Sequence, residues 1–260
     1  MTAADKYTTE TITEIRTWTP KLFSFRTTRF RGYRFIPGQF ARLGVRKDTP
    51  EGEKIVWRAY SIVSADYDEY LEFYSIVVPG GEFTSTLADM KVGDEILIDK
   101  TNYGMLTTDR FVEGKDLWLL STGTGLAPFI SILHDVSTWE QYENIVLVHG
   151  VRHRDELAYE ELINAFREHE YFGEFAHKLR YVQVVTREEV PGTLQGRIPQ
   201  LLENGELERS TGIRIDPERA RIMICGNPEM VDDTRKFFID NGYTLSRRGK
   251  PGHLAVENLW

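Results

Sequence analysis

The sequence predicts two domains of different class: an antiparallel all-β half, then an α/β half built on a parallel sheet. Three observations predict it. Up to about residue 108, short β-rich runs recur between turn residues. From about residue 113, short apolar runs alternate with helical ones instead. In that second half, strand ends run directly into glycine-rich loops, as nucleotide-binding parallel sheets require. A length of 260 residues accommodates one large domain or two ordinary ones.

In the first half, strands are predicted over 11–19, 22–28, 40–45, 55–64, 71–78 and 95–100. Breaks fall at Thr19-Pro20, Pro37-Gly38, around Pro50 and Gly52, at Pro79-Gly80-Gly81 and at Val92-Gly93-Asp94. Such closely spaced strands fit either a closed antiparallel barrel or a sandwich. One helix, 83–90, follows the glycine pair. In the second half, strands at 117–121, 145–149, 181–186 and 221–225 alternate with helices at 128–136, 156–168, 198–202 and 228–241. The boundary lies within 107–116, so residues 1–110 form one expected domain and 111–260 the other. No internal repeat or low-complexity segment is visible.

An apolar share of 41% with 12% aromatics supports a packed core and excludes disorder. The 32 Lys and Arg against 40 Asp and Glu give a net charge of −8. That excludes a global attraction to nucleic acid or anionic membrane, though not a local basic patch. A single cysteine, Cys225, permits no intrachain disulfide, iron–sulfur module or zinc site, and no metal is expected. The start lacks an apolar signal core, and no run approaches the roughly 20 apolar residues of a membrane span. A soluble cytoplasmic protein is expected.

The richest motif is Arg58-Ala59-Tyr60-Ser61, after the strand-like run Lys54-Ile55-Val56-Trp57. It holds a fixed cation, an aromatic plate and a small hydroxyl, with Arg58 and Tyr60 on one strand face and Ser61 on the other. A flavin nucleotide needs these three groups close together; an edge strand with an exposed Arg and a half-buried Tyr is the other reading. Pro79-Gly80-Gly81-Glu82-Phe83-Thr84-Ser85-Thr86 joins a strand to a helix start. It fits a pyrophosphate cradle or a capped glycine hairpin equally. Ser121-Thr122-Gly123-Thr124-Gly125-Leu126-Ala127-Pro128 lies where open parallel sheets bind nucleotides. It lacks both the G-x-G-x-x-G spacing and the lysine of an ATP-binding loop.

Arg152, Arg187 and Arg197 each follow a strand end or precede a helix. They suit convergence on a 2′-phosphate, which would favour NADP over NAD, or three separate solvated positions. Cys225 precedes Gly226-Asn227-Pro228-Glu229-Met230 at another strand-to-helix turn. It fits a place beside a nicotinamide or that of a small buried apolar residue. A short β-like run near the carboxyl end finishes on Trp260, which would fray unless it docked on a surface such as a base ring.

Together these residues resemble the bacterial ferredoxin (flavodoxin)–NADP⁺ reductases. The carriers are Arg58 to Ser61, Glu72-Phe73-Tyr74-Ser75-Ile76-Val77-Val78-Pro79-Gly80-Gly81, Thr122 to Pro128, Cys225 to Met230 and the closing Trp260, in order along nearly the whole chain. The resemblance implies a six-stranded antiparallel barrel binding FAD and an α/β domain binding NADP(H), with the C-terminal tail closing on FAD. It implies that Arg58, Ala59, Tyr60 and Ser61 hold the flavin, Tyr60 packing on the ring and Ser61 bonding near N5. Tyr74, Ser75 and Ile76 would line the ring and ribityl chain, Phe83 and Thr84 would meet the pyrophosphate, and Thr124 would lie near both rings. Arg152, Arg187 and Arg197 match the 2′-phosphate arginines; Cys225, Gly226, Asn227, Pro228 and Met230 match the pyridine-nucleotide region. Trp260 looks like the residue that stacks on the FAD adenine, and the residue before it, often aromatic, is here Leu259.

The expected function is therefore hydride chemistry at NADPH coupled to one-electron exchange with ferredoxin or flavodoxin, with Ser61 and Cys225 positioning the nicotinamide. A monomer is expected. An acidic carrier would need a local basic patch, for which Arg26, Arg29, Arg31, Arg34, Arg247, Arg248 and Lys250 are candidates flanking the flavin edge. Two rivals remain: the NADPH-dependent reductase component of an oxygenase served by a separate ferredoxin, and a non-catalytic flavin or nucleotide sensor.

Overall fold

The computed structural model describes residues 6–50 and 52–259. Its first half forms β1 (Tyr7–Thr17), β2 (Leu22–Thr28), β3 (Phe40–Thr49), β4 (Gly52–Ser61), β5 (Tyr70–Ile76) and β6 (Glu95–Asp99). These make one antiparallel sheet in the order β4-β3-β6-β1-β2-β5. The sheet curls until its edges meet, where Ile62 bridges Phe73 and the Val63 N–H donates to the Glu72 carbonyl at 2.9 Å. That isolated bridge joins the edges at one point only; along the rest of β4 and β5 the sheet stays an open, curled half-barrel, short of the closed barrel expected from the sequence. β1 serves two neighbours, pairing with β6 over its first half and with β2 over its second. A bulge between Ile12 and Glu14 marks the change of partner. Ile12, Phe25, Leu43, Phe73, Ile96 and Ile98 fill the interior, and α1 (Glu82–Asp89) adds Phe83 and Leu87.

The β3–β4 hairpin runs further than its apolar residues suggest. Arg46, Lys47 and Asp48 continue the strand and pair with Ile55, Lys54 and Glu53. Like charges face each other at two of these pairs, which is unfavourable for a ribbon. The arrangement is relieved laterally: Arg46 reaches Glu53 at 2.8 Å, while Lys47 and Lys54 both reach Glu82, at 3.6 and 2.6 Å. The charged ribbon thereby ties down the start of α1.

The second half alternates as the sequence predicts: β7 (Asp116–Thr122), α2 (Ala127–Leu133), α3 (Val136–Gln141), β8 (Asn144–Val151), α4 (Glu160–Ala165), β9 (Leu179–Val185), β10 (Leu194–Gln195), α5 (Ile198–Glu203), α6 (Glu206–Thr211), β11 (Ala220–Cys225), α7 (Pro228–Asp240) and β12 (Leu254–Glu257). The strands form one parallel sheet in the order β10-β9-β8-β7-β11-β12. Alternation along β7 gives each face its own core: Leu117 and Leu119 on one side, Trp118 and Leu120 on the other. The helix expected over 156–168 is broken. A 3-10 turn at Arg154–Glu156 precedes α4, and between them Tyr159 takes φ 63°. A helix expected through 136 likewise ends at Leu133, and Asp135 caps a separate α3 by accepting from the Ser137 N–H.

The two halves share buried apolar contact. Leu22, Val63 and Tyr74 of the barrel belong to one cluster with Leu126, Ala127, Ile130 and Tyr159. The Ser131 hydroxyl donates across the seam to the Ser64 carbonyl at 2.9 Å. Among the described residues no helix is long and apolar enough to cross a membrane.

Candidate functional site

The strand order fixes where a ligand can enter. From β7 the chain winds outward through β8, β9 and β10, then returns to place β11 on the other side of β7. The crevice at this reversal, outside the carboxyl ends of β7 and β11, is where open parallel sheets bind ligands. Two glycine turns form it. A Cβ on Gly125 would stand 2.3 Å from the Cys225 carbonyl oxygen, and one on Gly226 would stand 2.3 Å from Thr122 Oγ1. Gly226 also has φ 141°, which an L side chain rarely adopts. Only glycine lets the two turns approach this closely, and the Asn227 N–H then donates to Thr122 Oγ1 at 2.9 Å.

Opposite this crevice stand β4, β5 and α1 of the barrel. The cleft between them has a volume of about 330 Å³ and is lined by Arg58, Ala59, Tyr60, Ser61, Tyr74, Ser75 and Ile76 from the barrel strands. Val78, Gly81, Glu82, Phe83 and Thr84 continue the wall, and Thr124, Gly125, Ala127, Cys225, Gly226 and Leu259 face it. Every barrel residue singled out in the sequence as a flavin-site candidate therefore lines one cleft, as do Thr124, Cys225 and Gly226. Trp260 lies outside the described residues.

Local chemistry holds each wall in place. Tyr60 leans on Phe83 with centroids 5.5 Å apart and bonds the Ser75 hydroxyl at 2.9 Å. Burial pushes its phenol up to about 12, so it stays neutral. The N-terminus of α1 has no side-chain cap, and its first N–H groups remain available to an anion. Thr84 Oγ1 instead secures the preceding turn, accepting from the Val78 N–H at 3.1 Å. Arg58 is exposed, its guanidinium touching the Trp57 carbonyl at 2.8 Å.

The floor holds a group that sequence reasoning missed. Ser61 Oγ donates to Glu257 Oε1 at 3.3 Å, and register pairs Glu257 with Cys225 across β12 and β11. Glu257 is 8% exposed, and its burial pushes the carboxyl up to about 8 despite the Ser61 bond. At neutral pH it mostly carries a proton. Burial first, and Glu257 second, raise the Cys225 thiol well above its ordinary value. The floor is therefore uncharged and suits a flat heterocycle. The only cue in the sequence was an acid inside the run Leu254-Ala255-Val256-Glu257. His149, also missed, lies buried beneath the first glycine turn, with Nε2 3.2 Å from the Gly123 carbonyl. Desolvation lowers it to about 4, so it remains neutral and donates to that carbonyl.

Arg152 and Arg187 lie side by side at the carboxyl ends of β8 and β9, where the Arg187 N–H donates to the Arg152 carbonyl at 3.0 Å. β10 brings Arg197 to the same end, two residues past its pairing with Val185. All three side chains are exposed. Of the Cys225 to Met230 motif, Asn227 caps α7 and Pro228 begins it. Met230 points into the core, where its sulfur accepts from Thr234 Oγ1 at 3.5 Å.

The expected basic patch is only partly assembled. Arg247, Arg248 and Lys250 precede β12, at the end of the sheet opposite the cleft, so they do not flank it. Arg26 is taken up in pairs with Glu14 and Glu72, at 2.9 and 2.8 Å. Arg31 and Arg34 stay exposed on the 29–39 loop beside Phe30 and Ile36, which are 43% and 50% exposed. That loop leads into Phe40, the register partner of Ser61. No cluster of three or more metal-ligating side chains occurs among the described residues.

Residues 11–105 match the family of oxidoreductase FAD-binding domains, and residues 119–236 match that of oxidoreductase NAD-binding domains. The chain is 44% identical to a ferredoxin–NADP reductase of Pseudomonas aeruginosa, over 97% of each protein. It is 38% identical to a flavodoxin/ferredoxin–NADP reductase of Escherichia coli, over 98% of this chain and 99% of the relative. A ferredoxin NADP⁺ reductase from Neisseria gonorrhoeae, solved with bound FAD and NADP, superimposes with a TM-score of 0.89 at 40% identity, covering 98% of this chain and 99% of that one. With the barrel wall, the paired glycine turns and the carboxyl-end cleft in place along the full length, this chain belongs to the ferredoxin–NADP⁺ reductase family.

Proposed function

We propose that this chain binds FAD and NADP(H) and exchanges electrons between NADPH, as hydride, and a one-electron carrier protein, ferredoxin or flavodoxin. The observation that carries this reading is the single cleft uniting the flavin-type wall of β4 and β5 with the glycine turns after β7 and β11. The residues fit the cofactor by their donor chemistry. They offer an uncapped helix N-terminus and exposed Arg58 for a diphosphate, and Tyr60, Tyr74 and Ile76 for a flat ring. Bound FAD supplies what no side chain has, accepting electrons in pairs and releasing them singly.

The chain's own task is positioning. Ser61 is oriented by its bond to Glu257, and the neutral floor of Glu257 and Cys225 receives the nicotinamide without charge repulsion. Glu257 also keeps a proton one hydrogen bond from Ser61 at neutral pH. Arg152, Arg187 and Arg197, gathered at one sheet end, select the 2′-phosphate. Residues 1–110 act as the FAD domain and 111–260 as the NADP(H) domain. Leu259 at the cleft offers the nicotinamide less stacking competition than an aromatic would. The carrier docks on the 29–39 loop through Arg31 and Arg34 with Phe30 and Ile36, a local patch on a chain of net charge −8. The protein acts as a cytoplasmic monomer.

Anaerobic titration with NADPH and with NADH, followed in the flavin spectrum, tests this reading. Bleaching by NADPH at far lower concentration than by NADH is expected. A colourless purified protein that takes up no FAD, or a flavin that NADPH leaves oxidised, would overturn it.

A further inference from the structure

The seam between the halves contains one residue in a conformation that its type disfavours. Tyr159 is the only non-glycine residue with positive φ among those described. Glycine or asparagine would take the left-handed region more easily. Retention of such a conformation requires surroundings that over-determine it. Here they do. The phenol oxygen donates to Glu72 Oε1 at 2.8 Å, and the ring lies 4.8 Å from Trp18 and edge-on to Tyr74 at 5.3 Å. The residue is 5% exposed.

What Tyr159 joins is specific. On its own side it closes the segment that begins at Arg152. Glu156 braces that segment by accepting from the Arg152 and His153 N–H groups at 2.8 and 3.3 Å. The Ala158 N–H donates back to the Glu156 carbonyl at 2.9 Å. The segment is thus a short, internally bonded strut from Arg152 to Tyr159. Across the seam, Glu72 and Tyr74 share the outward face of β5, two residues apart. Glu72 is itself fixed by Arg26 at 2.8 Å, and Tyr74 lines the cleft. One ring therefore touches both an anchored carboxylate and a wall of the flavin site.

We infer that Tyr159 is a positioning residue that couples the Arg152 segment to the Tyr74 wall, setting the attitude of that wall and the spacing of the two faces of the cleft. The inference rests on the proposed roles of Arg152 and the cleft. In that arrangement, occupation of the Arg152 end is felt at the flavin without any movement of the sheets. Hydride transfer is steep in distance, so a slackened seam lowers the chemical step more than nucleotide affinity.

The test uses FAD-loaded protein and stopped-flow reduction by saturating NADPH, alongside the flavin difference spectrum induced by NADP⁺ and thermal melting. Tyr159→Phe keeps the ring and loses the bond; hydride transfer should fall about tenfold while the NADPH dissociation constant stays within about twofold. Tyr159→Leu should fall further and diminish the difference spectrum. Glu72→Gln should resemble Tyr159→Phe, and the double variant should be little worse than either. Glu161→Gln, which removes an exposed ion pair with Arg16 across the same seam, should change neither readout. Lower melting temperatures with unchanged hydride transfer and difference spectrum would reduce Tyr159 to a structural role and overturn the inference, as would an equal effect of Glu161→Gln. If Tyr159→Leu fails to fold, Tyr159→Phe and Glu72→Gln decide. Normal wild-type reduction with unaffected variants removes only this inference; wild-type flavin that NADPH cannot reduce removes the functional reading as well.

Discussion

Replacing Glu257 by Gln should stabilise the protein, increasingly so as the pH rises. Burial holds this carboxyl at about 8 against an ordinary value of 4.5. Below pH 4.5 both folded and unfolded chains carry the proton, and the residue contributes no pH dependence. Between 4.5 and about 8 the unfolded chain releases it while the folded chain retains it, so stability falls with rising pH. Above about 8 both forms are ionised and the full penalty persists, on the order of 5 kcal/mol across the span. Gln keeps an oxygen to accept from Ser61 but never ionises. Urea unfolding of wild type and Glu257→Gln from pH 5 to 9, at a fixed excess of FAD, reads the difference directly and cancels the other titrating groups. The variant's advantage should grow through this window and level off above pH 8. A difference that is flat with pH, or that shrinks as pH rises, would refute the buried, proton-bearing Glu257.

Arg187→Ala with Arg197→Ala should raise the KM for NADPH about 10- to 100-fold and leave NADH nearly unchanged, as steady-state kinetics with both nucleotides will read. Equal losses would remove the 2′-phosphate role. Gly226→Ala should destabilise by about 2 kcal/mol in denaturant unfolding, because its Cβ would meet Thr122 Oγ1 at 2.3 Å in a backbone region closed to alanine. Arg31→Glu with Arg34→Glu should slow carrier reduction about tenfold at low salt and flatten its salt dependence, without altering flavin reduction by NADPH. Carrier reduction insensitive to salt in the wild type would discard the 29–39 loop as the docking face.

The strands and turns that make the cleft were legible because their signals are local. Runs of β-branched and aromatic residues between turn residues mark β4 and β5, and the glycine pairs mark the turns after β7 and before α1. What stayed hidden depended on contacts between distant segments. Glu257 reads as one acid in an apolar run until β12 is known to lie parallel to β11, which sets it opposite Cys225. The same pairing places Arg247, Arg248 and Lys250 at the wrong end for the flavin, although their proximity in sequence to the tail suggested otherwise. Met230 looked like part of a nucleotide motif, yet it shares a buried face of α7 with Val231, Thr234 and Phe238. The ribbon extending β3 and β4 escaped notice because charged residues outside a core need no apolar alternation. Tyr159 gave no sign of its left-handed turn, since glycine is the usual cue and the contacts that hold it lie on the barrel.

The central claim is that one cleft splits the electron pair of each hydride into single electrons. Under anaerobic conditions, the FAD-loaded protein given a limiting amount of NADPH and an excess of oxidised ferredoxin or flavodoxin should reduce two one-electron carriers for every NADPH consumed. NADPH consumption without carrier reduction, or no consumption at all, would contradict it.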